Sequence, residues 1–161
     1  MKIFIASPLG FAESSKPFLA VLREKLRVLG LEPIDPWSTS TDLEKQLQAA
    51  ETIPQPGERQ SALHRIAMSI AERNAELLRA ADGILAVLDG PDVDSGTASE
   101  IGYAFGLGDK VINGYRGDFR RAGEHDGVRV NLQVQYWIER SGGRIISSLD
   151  RLSTLSFRRM G

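Results

Sequence analysis

Short apolar runs alternate with amphipathic stretches along the chain, and this alternation restricts the possible folds more than any other feature. Residues 84–88 are entirely apolar, as expected of a strand that is buried on both faces of a sheet. Residues 16–29 place apolar side chains on one helical face, and Gly30 follows as a stop signal. Strands and helices that alternate in this way are typical of βαβ units around a parallel sheet.

The complete pattern predicts a doubly wound sheet. We predict strands at residues 3–6, 31–34, 84–88, 111–113 and 144–147, and helices at residues 16–29, 42–50, 61–80, 97–107 and 130–140. Right-handed crossovers would place the carboxyl ends of all strands at one edge. The predicted fold is a flavodoxin-like (Rossmann-like) three-layer α/β fold, with a five-stranded, mostly parallel sheet and helices on both faces. We expect one domain over residues 1–161.

Two predicted connections, residues 37–60 and 114–128, are much longer than is usual in a compact domain. Connections of this length are lids over a functional site or disordered segments, and we favour lids. The second connection contains a basic cluster of Arg116, Arg120 and Arg121. We interpret this cluster as a solvated loop face.

Composition excludes several classes of site and partner. The chain has no cysteine, so disulfides, thiolate metal sites and cysteine nucleophiles are excluded. Its two histidines, His64 and His125, are too few and too far apart to suggest zinc, and we expect no metal or organic cofactor. A net charge of -1 gives no reason to expect a nucleic-acid or membrane partner. No P-loop or G-x-G-x-x-G motif occurs, which argues against the usual NTPases and dinucleotide enzymes.

Two further signals concern location. No apolar run approaches the about 18 residues of a membrane span. The apolar run at residues 3–6 is too brief for a signal peptide and is better interpreted as a strand. We therefore expect a cytoplasmic protein.

Two carboxylates follow the apolar run at 84–88, at the edge where open α/β sheets bind ligands. Glu100 either closes a capping box with Thr97 as N-cap, or attacks an anomeric carbon as a nucleophile. The two roles are compatible, because a helix N-terminus favours an ionised carboxylate. Asp94 is a turn residue or an alternative N-cap, or it is a partner acid that orients Glu100.

Asn74 lies on the apolar stripe of the helix predicted at 61–80, together with Leu63, Ile66, Ile70 and Leu77. A buried amide without a partner would cost about 1–3 kcal/mol. Asn74 therefore either pairs with nearby backbone or faces the crevice and contacts a ligand.

Small residues close the first strand and open the later helix. Ser7, Pro8 and Gly10 form either a plain βα turn or a cradle for a sugar or a phosphate. Gly96 allows the backbone to approach a ligand or to adopt an unusual turn. These residues lie at the same predicted sheet edge as the carboxylates.

Several other residues have both a packing and a binding interpretation. Gly102 would permit tight contact between its helix and a neighbouring element. Tyr103, one turn beyond Glu100, orients that carboxylate or simply packs. Trp37 and Trp137 stack on a base or pack in the core.

Four segments of the chain match a known family in the expected order. They are residues 2–8 (KIFIASP), residues 73–74 with 81–88 (RN and ADGILAVL), residues 94–104 (DSGTASEIGYA) and residues 130–132 (VNL). With these segments the chain resembles the nucleoside 2-deoxyribosyltransferase family, which also includes nucleoside 5′-monophosphate N-glycosidases. Residues 94–104 are the most specific segment, and the match extends from residue 2 to about residue 135.

The resemblance implies roles for individual residues. Glu100 would form a covalent deoxyribosyl-enzyme, and Asp94 would orient the nucleoside or assist proton transfer. Asn131 would reach the sugar 5′-hydroxyl, often in a neighbouring subunit's site, which implies a homo-oligomer, a dimer or larger. Two positions depart from the family pattern, since some members have aspartate where Asn74 stands, near the base, and tyrosine near Phe4.

These observations predict retaining transfer of 2-deoxyribose between nucleobases through a glycosyl-Glu100 intermediate. The expected partners are a small nucleoside and a nucleobase. The predicted substrate contacts are Ser7, Pro8, Asn74, Gly96, Asn131 and Tyr103. One alternative is hydrolysis of nucleoside 5′-monophosphates, with a phosphate cradle formed by Ser7, Gly10, Ser14 and Ser15. Another is a nucleoside-binding module without catalysis.

Overall fold

The computed structural model describes residues 1–39 and 41–159, and this part of the chain contains five parallel strands flanked by helices. The strands are Lys2–Ala6 (β1), Glu32–Ile34 (β2), Gly83–Val87 (β3), Val111–Tyr115 (β4) and Ile145–Ile146 (β5). The α-helices are Lys16–Val28 (α1), Thr41–Glu51 (α2), Pro56–Ala80 (α3), Ser95–Leu107 (α4) and Leu132–Arg140 (α5).

The strand order is β2-β1-β3-β4-β5, and every neighbouring pair is parallel. This order confirms the predicted flavodoxin-like arrangement. From β1 the chain adds β2 on one side and then returns to add β3 on the other, so the strand order reverses between β1 and β3. In folds of this kind a ligand binds in the crevice at this reversal, beyond the carboxyl ends of the two strands.

Two apolar clusters cover the two faces of the sheet. Because side chains alternate along a strand, Phe4 and Ala6 of β1 face the cluster formed with α3, α4 and α5. Ile3 and Ile5 face the other cluster, formed with α1 and the 3-10 segment Leu149–Thr154. The predicted three layers are thus confirmed. Of the helices in the described part of the chain, none combines the length and apolar character needed to span a bilayer.

The predicted connection at residues 37–60 is confirmed for the short helix expected near 42–50 and is wrong at its end. A 3-10 turn at Pro36–Thr39 and helix α2 occupy its first part, in agreement with the short helix expected at 42–50. Helix α3 begins at Pro56 rather than at residue 61. Proline suits the first turn of a helix because its fixed backbone angle is already helical and its missing N–H has no helical partner there.

The second long connection begins later than predicted because β4 continues to Tyr115, and it ends later because α5 begins at Leu132. The interpretation of Arg116 as part of a solvated face is wrong, since this residue is only 3% exposed. Its guanidinium donates hydrogen bonds to the backbone carbonyls of Leu88, of Gly90 (3.0 Å) and of Arg120 (2.8 Å). Arg116 thus joins the end of β3 to the loop after β4, because these carbonyls find no partner in the sheet.

Replacing Arg116 with methionine should leave those carbonyls without their donors while keeping much of the side-chain volume. We expect Arg116→Met to lower the free energy of unfolding by about 2–4 kcal/mol. Arg121→Met is the matched control, because Arg121 is exposed and pairs with Asp126 (2.8 Å) at the surface. That change should cost less than about 1 kcal/mol. Urea unfolding measures both, and equal losses would contradict the structural role of Arg116.

Candidate active site

A cavity of about 360 Å³ opens at the carboxyl ends of β1 and β3, where the strand order reverses. Its polar lining consists of Ser7 after β1, Arg73 and Asn74 of α3, and Asp94, Thr97 and Glu100 at the start of α4. Most of the remaining wall is apolar. It includes Leu43 and Leu47 of α2, so the segment predicted to act as a lid forms one wall of this cavity.

Helix α4 begins at Ser95 because Asp94, and not Thr97, is its N-cap. Asp94 Oδ2 accepts hydrogen bonds from the Thr97 backbone N–H (3.0 Å) and from the Thr97 hydroxyl (3.3 Å). The predicted capping box is therefore wrong, and Glu100 lies in the second turn of the helix rather than in the first. The carboxyl group of Glu100 makes no hydrogen bond or ion pair with another residue of the described chain.

The structure brings both carboxyl groups to one cavity, and this placement affects the charge of Glu100. Burial, and then the negative charge of Asp94, raises the pKa of Glu100 to about 7. Glu100 therefore changes between a neutral acid and a carboxylate near neutral pH. Among the described residues, no group of three or more histidine, aspartate or glutamate side chains is placed to bind a metal ion.

Asn74 faces the cavity from α3, one helical turn beyond Ile70, and both side chains are partly buried. Its amide has no hydrogen-bond partner among residues 1–39 and 41–159. Because no fully buried polar side-chain atom in this part of the chain lacks a partner, the unpaired amide is accessible from the cavity. Of the two interpretations of Asn74, the structure supports the one in which it faces the crevice.

An aromatic wall, formed by Trp37 and Phe11, closes another side of the cavity. The Trp37 indole N–H donates to the backbone carbonyl of Ser7 (3.0 Å), and the Phe11 ring meets the indole edge-on at 4.4 Å. The indole lies directly over Gly10, where an added Cβ would be 1.9 Å from Trp37 Cδ2. Phe11 was not among the residues predicted to form the site. Its aromatic side chain directly after the Ser7–Gly10 turn was the sequence feature that could have indicated a role there.

Asp35 holds this wall in place from the interior. Its carboxylate, which is 1% exposed, accepts a hydrogen bond from the Trp37 backbone N–H (3.0 Å) and forms an ion pair with Arg23 of α1 (2.9 Å). Burial raises the pKa of Asp35, while the Trp37 N–H and the Arg23 charge oppose that increase. The position of Trp37 is thus fixed through both its side chain and its backbone.

Some residues predicted to contact substrate do not line this cavity. Pro8 begins a 3-10 turn, Pro8–Phe11, behind Ser7. The Tyr103 hydroxyl accepts a hydrogen bond from Arg79 (3.0 Å), so that tyrosine does not orient Glu100. By contrast Ser7, Asn74 and Gly96 do line the cavity, as do the two predicted catalytic carboxylates.

Asn131 lies at a different place in the fold. It is the N-cap of α5, which begins at Leu132 rather than at residue 130, and its Nδ2 donates to Glu124 (2.9 Å). The asparagine lines a separate surface hollow between α4 and α5. Its predicted reach into the site of a neighbouring subunit therefore stays a prediction.

Gly102 and Trp137 have a packing role. A Cβ on Gly102 would lie 3.0 Å from the Trp137 ring, so α4 and α5 approach closely at this point. Trp137 also stacks with Phe105 at a centroid distance of 6.4 Å. The predicted tight contact of Gly102 is confirmed, and Trp137 packs between the helices rather than beside the cavity.

Comparisons with known proteins agree with this architecture. The family model described as nucleoside 2-deoxyribosyltransferase matches residues 3–133. No significant match arises among curated protein sequences. A solved conserved protein from Enterococcus faecalis V583 is 26% identical with a TM-score of 0.69, and the similarity covers 96% of this chain and 95% of that one.

Two other solved structures share the fold at lower identity. The 2-deoxyribosyltransferase from Bacillus psychrosaccharolyticus is 20% identical, with both chains covered to 100% and a TM-score of 0.63. The CMP N-glycosidase of Clostridium botulinum is 15% identical, with 96% of this chain and 95% of that chain covered and a TM-score of 0.52. The family match begins in β1, ends in the first turn of α5 and includes both carboxylates.

Gly10→Ala tests the close packing of the aromatic wall. The added methyl group would overlap the Trp37 ring, so we expect a changed tryptophan emission and a loss of about 1–3 kcal/mol in the free energy of unfolding. Gly57→Ala is the control, because a Cβ at Gly57 meets nothing within 4 Å. It should change stability by less than about 1 kcal/mol. A Gly10→Ala variant with wild-type emission and stability would contradict the packing described.

Glu100→Gln tests the charge balance of the cavity. The pKa of Glu100 is about 7 in the folded protein, against an ordinary value of 4.5. The stability contributed by the protonated acid is therefore complete below pH 4.5 and is lost as the pH rises through 7. At pH 8 we expect the free energy of unfolding of the variant to be about 1–3 kcal/mol higher than that of the wild type, a range that allows for the partial burial of the side chain. At about pH 4 the two proteins should differ little.

Urea unfolding at the two pH values measures this difference. Glu76→Gln, at an exposed position of α3, is the control and should show no such pH dependence. A Glu100→Gln gain of equal size at both pH values would show that ionisation of this carboxyl does not oppose folding.

Proposed function

The chain belongs to the nucleoside 2-deoxyribosyltransferase family, and on this premise we propose that it transfers 2-deoxyribose between nucleobases with Glu100 as nucleophile. Family and fold support an enzyme that transfers a glycosyl group or cleaves a glycosidic bond. The observation that carries the finer proposal is the shared position of Asp94 and Glu100 in the cavity at the β1–β3 edge. Glu100 in particular is unpaired there and free to meet a ligand.

In the first step the Glu100 carboxylate attacks C1′ of a 2′-deoxynucleoside. The C1′–N bond breaks through an oxocarbenium-like transition state, and its electron pair leaves with the base. The product is a deoxyribosyl ester of Glu100. Asp94, whose carboxylate is held by Thr97, orients the sugar beside the nucleophile.

In the second step a nitrogen atom of an incoming base attacks the same carbon. The ester bond to Glu100 breaks, the carboxylate is released for another cycle, and the proton that this nitrogen carried returns to the group that protonated the departing base. Two displacements at C1′ retain the configuration of the sugar. If water took the place of the incoming base, the same intermediate would give hydrolysis.

Proton transfer to the departing base cannot come from Asn74, because an amide does not act as an acid at neutral pH. In the proposed mechanism that proton comes from a water molecule, or from Asp94 after Asp94 has itself taken up a proton. The nucleophile must be ionised, and its pKa of about 7 makes the first step faster as the pH rises towards and through neutrality.

The hydrolysis of nucleoside 5′-monophosphates receives less support from the cavity. Of the predicted phosphate cradle, Ser7 lines the cavity, whereas Ser14 and Ser15 lie outside its lining. Gly10 is covered by the Trp37 ring. We therefore propose nucleosides as the substrates and keep the monophosphates as the tested alternative.

Within one subunit Asn131 lines a hollow separate from this cavity. We propose that Asn131 contacts the sugar 5′-hydroxyl in the site of a neighbouring copy in a homo-oligomer, because its amide lies on a surface hollow between α4 and α5. The Asn131 side chain is held in this position because it caps the N-terminus of α5 and donates a hydrogen bond to Glu124.

Glu100→Ala tests the mechanism directly. With deoxyinosine and adenine as substrates, we expect this variant to lose base exchange by about 10³-fold or more. Mass spectrometry should detect a deoxyribosyl adduct on Glu100 in the wild type and none in the variant. The wild-type kcat/KM should rise by about tenfold per pH unit below pH 7 and level off above it. Glu76→Ala is the exposed control and should retain activity. An unaffected rate in Glu100→Ala would eliminate this mechanism.

The same assay separates the candidate activities. Exchange of the base between deoxyinosine and adenine supports transfer. Release of base from deoxynucleoside 5′-monophosphates in water, without any acceptor, supports the glycosidase alternative. Binding of nucleosides with neither reaction nor adduct would indicate a binding module.

A further inference from the structure

Arg73 is a partly buried cation that the proposed mechanism does not use. It lines the cavity from α3, next to Asn74 and one turn from Ile70. Within the described residues its guanidinium makes no ion pair and no hydrogen bond. By contrast, Arg116 and Arg23, which are also withdrawn from solvent, have acceptors in the protein. The N–H donors of this partly buried guanidinium have no protein acceptor and are accessible from the cavity, so this position favours a ligand that supplies an acceptor.

The geometry of displacement decides which part of a nucleoside lies near Arg73. A nucleophile attacks C1′ from the side opposite the leaving base, so the base lies across the cavity from Glu100. The cavity walls formed by α2 and Trp37 are apolar, which suits a flat heterocycle, and we place the base against them. Helix α2 packs against α3, and Arg73 and Asn74 of α3 line the same cavity.

The donor pattern of a guanidinium selects among bases. Arginine offers five N–H donors and no acceptor. A 6-oxopurine presents two neighbouring acceptors, O6 and N7, that match this fork, whereas a 6-aminopurine presents an N–H donor in place of O6. We propose that Arg73 recognises the O6–N7 edge of the base and makes the cavity selective for 6-oxopurine nucleosides over 6-aminopurine nucleosides. This inference rests on the proposed nucleoside chemistry of the site.

Binding without turnover tests the inference. In a Glu100→Ala background, calorimetry would compare deoxyinosine with deoxyadenosine. We expect deoxyinosine to bind about tenfold more tightly or better, which is the discrimination expected of a bidentate arginine–purine pair. Adding Arg73→Met should remove the preference. Adding Arg65→Met, at an exposed position of the same helix, should preserve it.

A 5′-phosphate is the rival acceptor for this guanidinium, and comparing deoxyinosine with its 5′-monophosphate distinguishes the two. If Arg73 recognises the base, Arg73→Met weakens the binding of deoxyinosine and of deoxyinosine 5′-monophosphate by the same factor. If Arg73 binds phosphate, Arg73→Met instead weakens deoxyinosine 5′-monophosphate relative to deoxyinosine, and this result overturns the inference.

Failure of the inference can be told apart from failure of the proposed function. Equal affinities for deoxyinosine and deoxyadenosine, or binding of neither, overturn the role of Arg73 whatever the activity of the wild type. The wild type could instead prefer deoxyinosine in binding but neither exchange bases nor form an adduct. That result would support the Arg73 contact and overturn the transfer mechanism.

Discussion

The site depends on the hydrogen bonds between the Asp94 carboxylate and Thr97. By serving as N-cap, Asp94 starts α4 three residues before the position that a capping box with Thr97 as N-cap would give. The carboxyl group of Glu100 therefore does not cap the helix terminus and instead lines the cavity. One carboxylate of the pair has hydrogen-bond donors and the other has none, so two similar acids lie in different environments.

The opposite side of the cavity depends on a glycine and a buried acid. Gly10 leaves the space that the Trp37 ring occupies, and Asp35 holds the backbone of that tryptophan through a hydrogen bond. The ion pair between Asp35 and Arg23 links this wall to α1, on the far face of the sheet. The aromatic wall is therefore supported by the core, although the Phe11 ring itself is 78% exposed.

Much of the architecture could be predicted because it follows from hydrophobic period, as the strands at 3–6 and 84–88 illustrate. The carboxylates could be placed near a ligand because they follow a buried strand. Hydrophobic periodicity alone could not predict the start of α3, because the first turn of that helix has no apolar stripe. Neither could it choose between Asp94 and Thr97, since both residue types are good N-caps and packing decides. Arg116 was misinterpreted because only the folded chain shows which carbonyls lack partners.

Helix α2 contributes apolar side chains to the cavity while the acids come from α4, so different parts of the chain build the two halves of the site. Leu43 and Leu47 belong to a helix that packs on α3, whereas Asp94 and Glu100 belong to the start of α4. Such a division would let related enzymes diverge in the heterocycles they accept while they inherit the same reaction at C1′.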